Sequence, residues 1–347
     1  MSRAERLKRM HPKLTFGRWH VLLSLVSLSA LVGLATMPQL LGDQVAEAFH
    51  GLMDVSPAWL WLAAVSFATA LAASGCAWRS ALSRCGGELT RADASARYGV
   101  GSLVNAFVPA KVGSAVRFAL FSRVLHGEGR LWTTGGVCAS IGAARSIWLA
   151  LLLAFGAASG VLPVWPLGLL ALAVAVAVGV AYVARDRSPS ARVAHVLDAF
   201  RALGRFPRAA AQLVGWIGLA TAARIGAATA IAAAFGVEQP LLAALLVVPA
   251  LDLAGILPLT PGNIGVASAA VAFALHAHGA AADTAISAGI AFSAVETVTS
   301  LAFGTGSALY LVGAAPGARR WTATAAAATA CLGLGVAFGA TVVLPLV

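Results

Sequence analysis

The feature that most constrains this chain is a series of apolar runs long enough to cross a lipid bilayer. Seven of them, at roughly 19–41, 58–78, 131–156, 163–184, 211–236, 284–313 and 321–345, carry almost no charge. A helix needs about 20 apolar residues to span the hydrocarbon core. Two further apolar stretches, 95–121 and 241–280, are interrupted by Pro and Gly. Composition agrees, with 60% hydrophobic and 11% charged residues, where soluble domains have about 45–50% and about 25%. A soluble enzyme, a disordered protein and a cytosolic binding domain are excluded. The expected fold is an all-α polytopic membrane protein with about seven full spans and two broken segments.

The net charge of +11 reports topology rather than nucleic-acid binding, because the basic residues fall between the apolar runs. Cytoplasmic segments collect Lys and Arg. Arg3, Arg6, Lys8, Arg9, Lys13 and Arg18 lie in the first eighteen residues; Arg79, Arg84, Arg91 and Arg97 lie in 79–97. The 185–208 segment holds six more, and 314–321 holds Arg319 and Arg320. The intervening 42–57, 157–166 and 237–240 contain no basic residue. This places the N-terminus inside and the C-terminus outside a plasma membrane, the inner membrane of a bacterium. Residues 1–18 read as a basic cytoplasmic start and 19–313 as the transmembrane domain, with 314–347 a short basic loop and a last helix. The 23-residue run at 19–41 has no small-x-small cleavage site before the acidic loop and is expected to stay as an anchor.

Parity adds a less obvious result. The chain is inside at Arg97, and the run at 131–156 must leave from the inside to reach an uncharged loop. Residues 98–130 therefore start and end on the cytoplasmic face, and 239–283 start and end on the outer one. Tyr98–Val108 and Ser114–Phe121 are too short for full spans and suit a re-entrant pair of half-helices. Length leaves Leu241–Leu259 and Asn263–Gly279 either re-entrant or a full hairpin.

Soluble-type chemistry has little foothold. No Walker A loop, dinucleotide fingerprint, nucleophile elbow or HExxH occurs. Cys76, Cys85, Cys138 and Cys331 have neither disulfide nor metal spacing, and His276 and His278 on a helix point to different sides. No cofactor, metal site or nucleic-acid partner is expected. The 185–210 loop reads as an amphipathic helix, with Val193, Val196, Leu197, Phe200 and Leu203 on one face and Arg on the other, resting on anionic lipid.

The broken segments carry the functional signal. Irregular backbone at membrane depth is tolerated only where protein buries it or a wet cavity lines it. Interrupted segments in corresponding positions of two halves point to a transport site. The first contains Asn105, Pro109, Lys111, Gly113 and Arg117; the second contains Pro258, Thr260, Pro261, Gly262, Asn263 and Gly265. Both hold Pro-x-x-x-Gly followed by small residues, 152 positions apart counted from Pro109 to Pro261. With opposite entry faces, the match suggests an inverted repeat. The plainer alternative is two kinked, packed helices without a ligand.

The stretch Trp78–Arg123, with its Arg-rich entry and Asn105, Pro109, Gly113 and Arg117, resembles the lysyl-phosphatidylglycerol synthase transmembrane (flippase-like) family. So does 249–275, where LPLTPGNIGV is similar to that family's Pro-x-x-Pro-Gly-Gly-x-Gly-Val run. The resemblance extends over roughly 15–315 and implies translocation of a lipid between leaflets. The family's soluble aminoacyl-transfer domain has no counterpart in this sequence, so lysyl-lipid synthesis is not implied. Three positions depart from the pattern: Asn263 replaces a Gly, Ser268 stands where an acid is usual, and Ala144-Arg145 replaces Glu-Arg.

Four charges fall deep in apolar runs: Arg145, Arg224, Asp252 and Glu296. Each costs at least about 2.5–3.5 kcal/mol at the bilayer centre and is a functional candidate by default. One reading is two ion pairs that lock helices together. The other is a phosphate path along Arg117, Arg145 and Arg224, Arg being suited to bidentate phosphate contact. In that path Lys111, Asn105, Thr260 and Asn263 sit beside the breaks, and Asp252 or Glu296 meets a cationic head group or a coupling proton. Ser293, Glu296, Thr297, Ser300 and Gly304 form a polar stripe at helical spacing that should face an interior groove.

The leading expectation is thus a lipid translocator, not an enzyme and not driven by ATP, with a phospholipid or polyprenyl-phosphate lipid as its substrate. The sequence leaves three alternatives open: a secondary transporter of a small solute, a membrane-embedded lipid-phosphate transferase, and a non-catalytic partner of envelope proteins. Homo-oligomer formation is also open.

Overall fold

The computed structural model describes residues 55–107, 112–127, 129–158, 191–255 and 264–313, with isolated positions between 160 and 175. The described residues form helices and connecting turns, with no strand among them. In chain order the helices are α1 (Pro57–Leu82), α2 (Arg91–Phe107), α3 (Val112–Ser122), α4 (Arg130–Ala158), α5 (Ala191–Gly204), α6 (Pro207–Ala234), α7 (Pro240–Ala254), α8 (Ile264–Ala277) and α9 (Ala282–Val312).

Among the described residues, four helices are long and apolar enough to cross a membrane: Pro57–Cys85, Arg130–Ala158, Pro207–Ala234 and Ala282–Leu311. They match the expected runs at 58–78, 131–156, 211–236 and 284–313. The runs at 19–41 and 321–345, and most of 163–184, lie outside the described residues.

Local chemistry sets the helix ends. Pro opens α1, α6 and α7, where its missing N–H leaves no bond unmade and its fixed φ suits the first turn. After α1 the chain makes a short 3₁₀ turn and reverses at Gly86, whose φ of 84° lies in the left-handed region. The Gly87 N–H then donates to the Leu82 carbonyl at 3.0 Å.

Both broken segments fold as helix pairs, α2–α3 and α7–α8. The first arm starts earlier than the sequence suggested, at Arg91 instead of Tyr98, because Thr90 caps it. The Asp93 backbone N–H donates to the Thr90 hydroxyl at 3.1 Å, and that hydroxyl donates to the Asp93 carboxylate at 2.7 Å. At 17, 11, 15 and 14 residues, the four arms are about 25, 17, 22 and 21 Å long at 1.5 Å per residue. Each falls short of the roughly 30 Å hydrocarbon core. The breaks themselves, with Pro109, Lys111, Pro258, Thr260, Pro261, Gly262 and Asn263, lie outside the described residues; Gly265 lies in the first turn of α8.

The packing is dominated by α1 against α6. Around this pair, α2 lies on α1 and α9, α7 on α6 and α4, α3 on α2 and α4, and α8 on α7 and α9. Small residues allow the close approaches. A Cβ at Gly75 would come 2.5 Å from Ser95 Cα, and one at Gly304 would come 2.8 Å from the Gly99 carbonyl. Two apolar cores result. One holds an edge-to-face Phe67–Phe292 pair with centroids 5.0 Å apart, the other a stacked Trp78–Phe121 pair at 4.5 Å.

The amphipathic helix forms at α5, but its apolar stripe does not lie wholly on lipid. Ala199 and Leu203 are buried, and Gly136 of α4 packs against Ala199 and the Val196 carbonyl. Leu197 and Phe200 are outward, at 38% and 39% exposure. Burial against α4 wins because Gly136 lets the helix backbone come close.

Candidate functional site

Helix geometry gathers the deep charges at one level. Arg145 is the sixteenth residue of the 29 in α4, Arg224 the eighteenth of 28 in α6 and Glu296 the fifteenth of 31 in α9. All three are mid-helix. Asp252 lies in the last turn of α7, just before the second break and one turn after Pro249, which removes a backbone donor inside the helix.

The alternative of two separate ion pairs is not the arrangement seen among the described residues. One carboxylate oxygen, Asp252 Oδ1, accepts a hydrogen bond from Arg145 Nη2 and another from Arg224 Nη1, both at 2.6 Å. The physical reason is placement: α7 ends between α4 and α6, so its carboxylate faces both guanidinium groups. Glu296 accepts no hydrogen bond from either Arg among the described residues, though it lies within electrostatic reach of both. The Asp252 side chain is 13% exposed and Arg224 21%, but Arg145 is 53% exposed. The cluster is therefore open on the Arg145 side and closed on the Arg224 side.

A second group sits on the first broken pair. The Arg117 guanidinium of α3 lies over the Tyr98 ring of α2, 3.8 Å from its centroid, a cation–π contact. Arg117 Nη2 reaches the Ser102 hydroxyl at 3.5 Å. Arg117 Nε and Asn105 Oδ1 are buried without a hydrogen-bond partner among the described residues. Buried orphan groups cost about 1–3 kcal/mol each and call for a ligand or water. The two arms touch here through glycine: a Cβ on Gly113 would fall on the Gly101 carbonyl and the Asn105 amide. Arg97 adds a second tie between the arms, donating to the Leu120 carbonyl at 2.7 Å.

Tyr98 joins the two groups. It interacts electrostatically with Arg117, Arg145 and Arg224. Sequence reasoning missed Tyr98. The signal was present: Tyr98, Ser102 and Asn105 recur at i, i+4, i+7, one face of a helix.

The polar stripe of α9 faces inward as expected. Ser293 is buried, Glu296, Thr297 and Ser300 are half-buried and Gly304 is buried, whereas Val298 is 60% exposed. Ser268 of α8 donates to Ser293 at 2.8 Å, so the departure at that position is absorbed by an α8–α9 hydrogen bond. His276 instead binds the Ala280 carbonyl at 2.9 Å through Nδ1, closing the end of its own helix. At the edge of the assembly, Asp93 carries a carboxyl held below its ordinary value, first by the Thr90 hydroxyl that donates to it.

The arrangement thus presents three guanidinium groups and two carboxylates, framed by six helices and open through Arg145. It can bind an anion with several N–H donors. No protein among curated sequences matches this chain. The sequence profile of the lysylphosphatidylglycerol synthase TM region matches residues 21–304, most of the chain. The protein is an all-helical membrane protein and belongs to that lipid-related family.

Proposed function

We propose that the protein moves a phosphate-bearing lipid between leaflets, passing the head group along an internal polar groove while the acyl tails stay in the membrane. The observation that carries this reading is the set of three guanidinium groups at membrane depth, Arg117, Arg145 and Arg224, linked by Tyr98. Three cations against two carboxylates leave one positive charge to be met by an anion. Arg presents the planar donor fork that phosphate oxygens accept. Tyr98 supports Arg117 with its ring and lies within electrostatic reach of the other two. The half-exposed Arg145 gives the head group a way in.

The helix order supports an inverted repeat. The starts Pro57, Arg91, Val112 and Arg130 and the starts Pro207, Pro240, Ile264 and Ala282 are offset by 150, 149, 152 and 152 positions. Exchanging the two sets maps each major helix contact onto another: α1–α2 onto α6–α7, α2–α9 onto α7–α4, and α8–α9 onto α3–α4. In this reading both short pairs are re-entrant, α2–α3 from the cytoplasm and α7–α8 from outside, with their ends meeting near the midplane. The activity is transport, without a catalytic step.

The test is lipid scrambling in proteoliposomes, with fluorescent phospholipids of several head groups and a membrane-impermeant quencher. Rapid loss of the protected signal is expected for the wild type, slowed by Arg117→Ala and Glu296→Gln. Tyr98→Phe keeps the ring under Arg117 and should stay closer to wild type than Tyr98→Ala, which should fall by about tenfold for one lost cation–π contact. No transfer for any head group by folded protein would overturn the reading.

A further inference from the structure

Asp252 is placed where an incoming phosphate would have to go. Its Oδ1 takes the facing N–H groups of Arg145 and Arg224 together, the donor geometry that a phosphate oxygen needs. The carboxylate is nearly closed off, yet one of its two partners is more than half exposed. A ligand entering from the open side meets the half-exposed Arg145 before the more enclosed Arg224. It can then compete for that guanidinium without displacing Arg224. Resting on the translocator reading above, we infer that Asp252 is an internal stand-in for the substrate phosphate, which a lipid must displace from Arg145 to occupy the site. The residue sets a threshold on the head group. A neutral lipid has no charge with which to replace a carboxylate, whereas a phosphate offers at least one negative charge and more acceptor oxygens.

Displacement has a structural consequence. The Asp252–Arg145 bond ties α7, an arm of the second broken pair, to α4. The bond from Asp252 to Arg224 ties α7 to α6, its chain neighbour. Losing the first while keeping the second frees α7 from the far half of the molecule but leaves it anchored to its own. Glu296 lies near both guanidinium groups without bonding to them, so it contributes to the field but not to the tie.

The test uses the full chain in lipid nanodiscs and measures binding of dioleoylphosphatidic acid and dioleoylphosphatidylglycerol, with dioleoylglycerol as the uncharged control. Asp252→Asn should bind both phospholipids about tenfold tighter than wild type, the effect of freeing one charge-assisted hydrogen bond. Asp252→Glu should stay near wild type, and Arg145→Gln should bind more weakly. Glu296→Gln removes the same charge without touching the tie, and should shift affinity by less than about threefold. Spin labels at Ile147 on α4 and Leu253 on α7, both exposed, should report a changed distance on adding phospholipid but not dioleoylglycerol. Asp252→Asn should show the changed distance without ligand. Unchanged or weaker binding by folded Asp252→Asn, or equal tightening by Glu296→Gln, overturns the stand-in role while leaving translocation intact. Failure of the wild type to bind any phospholipid overturns the translocator reading itself.

Discussion

Replacing Arg224 with Met removes one of the two donors to Asp252 and keeps a side chain of similar reach. Two charge-assisted bonds of 2.6 Å meet on Asp252, which is 13% exposed. A hydrogen bond to a charged group contributes about 1.5–3 kcal/mol. Stripping a buried charge of its partner costs about 3–5 kcal/mol when nothing else compensates it. Asp252 retains Arg145, so the expected loss for Arg224→Met is about 2–3 kcal/mol. Arg145 is 53% exposed, where screening and side-chain freedom reduce an ion pair to about 1 kcal/mol or less, and Arg145→Met should cost no more than that. The double variant Arg224→Met/Asp252→Leu removes the cation and its acceptor together, and should be more stable than Arg224→Met alone by about 1 kcal/mol. Unfolding from mixed micelles with rising dodecyl sulfate, followed by far-UV circular dichroism and tryptophan fluorescence, gives the three values. If Arg145→Met costs as much as Arg224→Met, or the double variant is as unstable as the sum of its parts, Asp252 does not share its charge between a closed and an open partner.

Two further outcomes follow from the helix contacts. Gly113→Ala places a methyl against the Gly101 carbonyl and the Asn105 amide and should cost about 1–3 kcal/mol in the same titration, whereas Gly135→Ala, with open space around it, should be neutral or stabilising by up to about 1 kcal/mol. Asp93 has a folded-state carboxyl held below 3.8 by Thr90, so its contribution is fully present above that value and fades as pH falls through the depressed one. Asp93→Asn should lower the midpoint of thermal unfolding at pH 7, and the difference from wild type should close in acid; a constant difference across pH would contradict the cap.

Much of this architecture is legible in the sequence because lipid is an undemanding solvent to read. A run such as 211–236 can satisfy its backbone there only as a helix. The deep charges were equally visible, since nothing but a site or an ion pair retains Arg145 or Glu296 at that depth. The partnership was not visible. Sequence position cannot say that α7 ends between α4 and α6, so two acids and two bases suggested two pairs where one carboxylate takes both guanidinium groups. Tyr98 was missed for a related reason. An aromatic ring in an apolar stretch is ordinary core material until the fold puts a guanidinium over it. The amphipathic stripe at 193–203 was read as lipid-facing because periodicity identifies an apolar face without identifying what covers it, and Gly136 gave α5 a protein surface instead.

The two halves of the proposed repeat differ in charge, and the difference falls at the site. Residue 18 of α1 is Ser74 and residue 18 of α6 is Arg224; residue 16 of α4 is Arg145 and residue 16 of α9 is Thr297, one place after Glu296. Under the inverted-repeat reading these positions lie near the axis that exchanges the halves, where both broken pairs end. A symmetric set of charges there would hold a head group equally from either side. Instead α3 contributes Arg117 stacked on Tyr98, while α8, from Ile264 to Ala277, contains no Arg or Lys. In the proposed translocator, with α2–α3 entering from the cytoplasm, a phosphate on that arm would have a third guanidinium that a phosphate on the α7–α8 arm lacks. The proposed repeat would then give two related routes to one site, and the unequal side chains would make the energies of those routes differ.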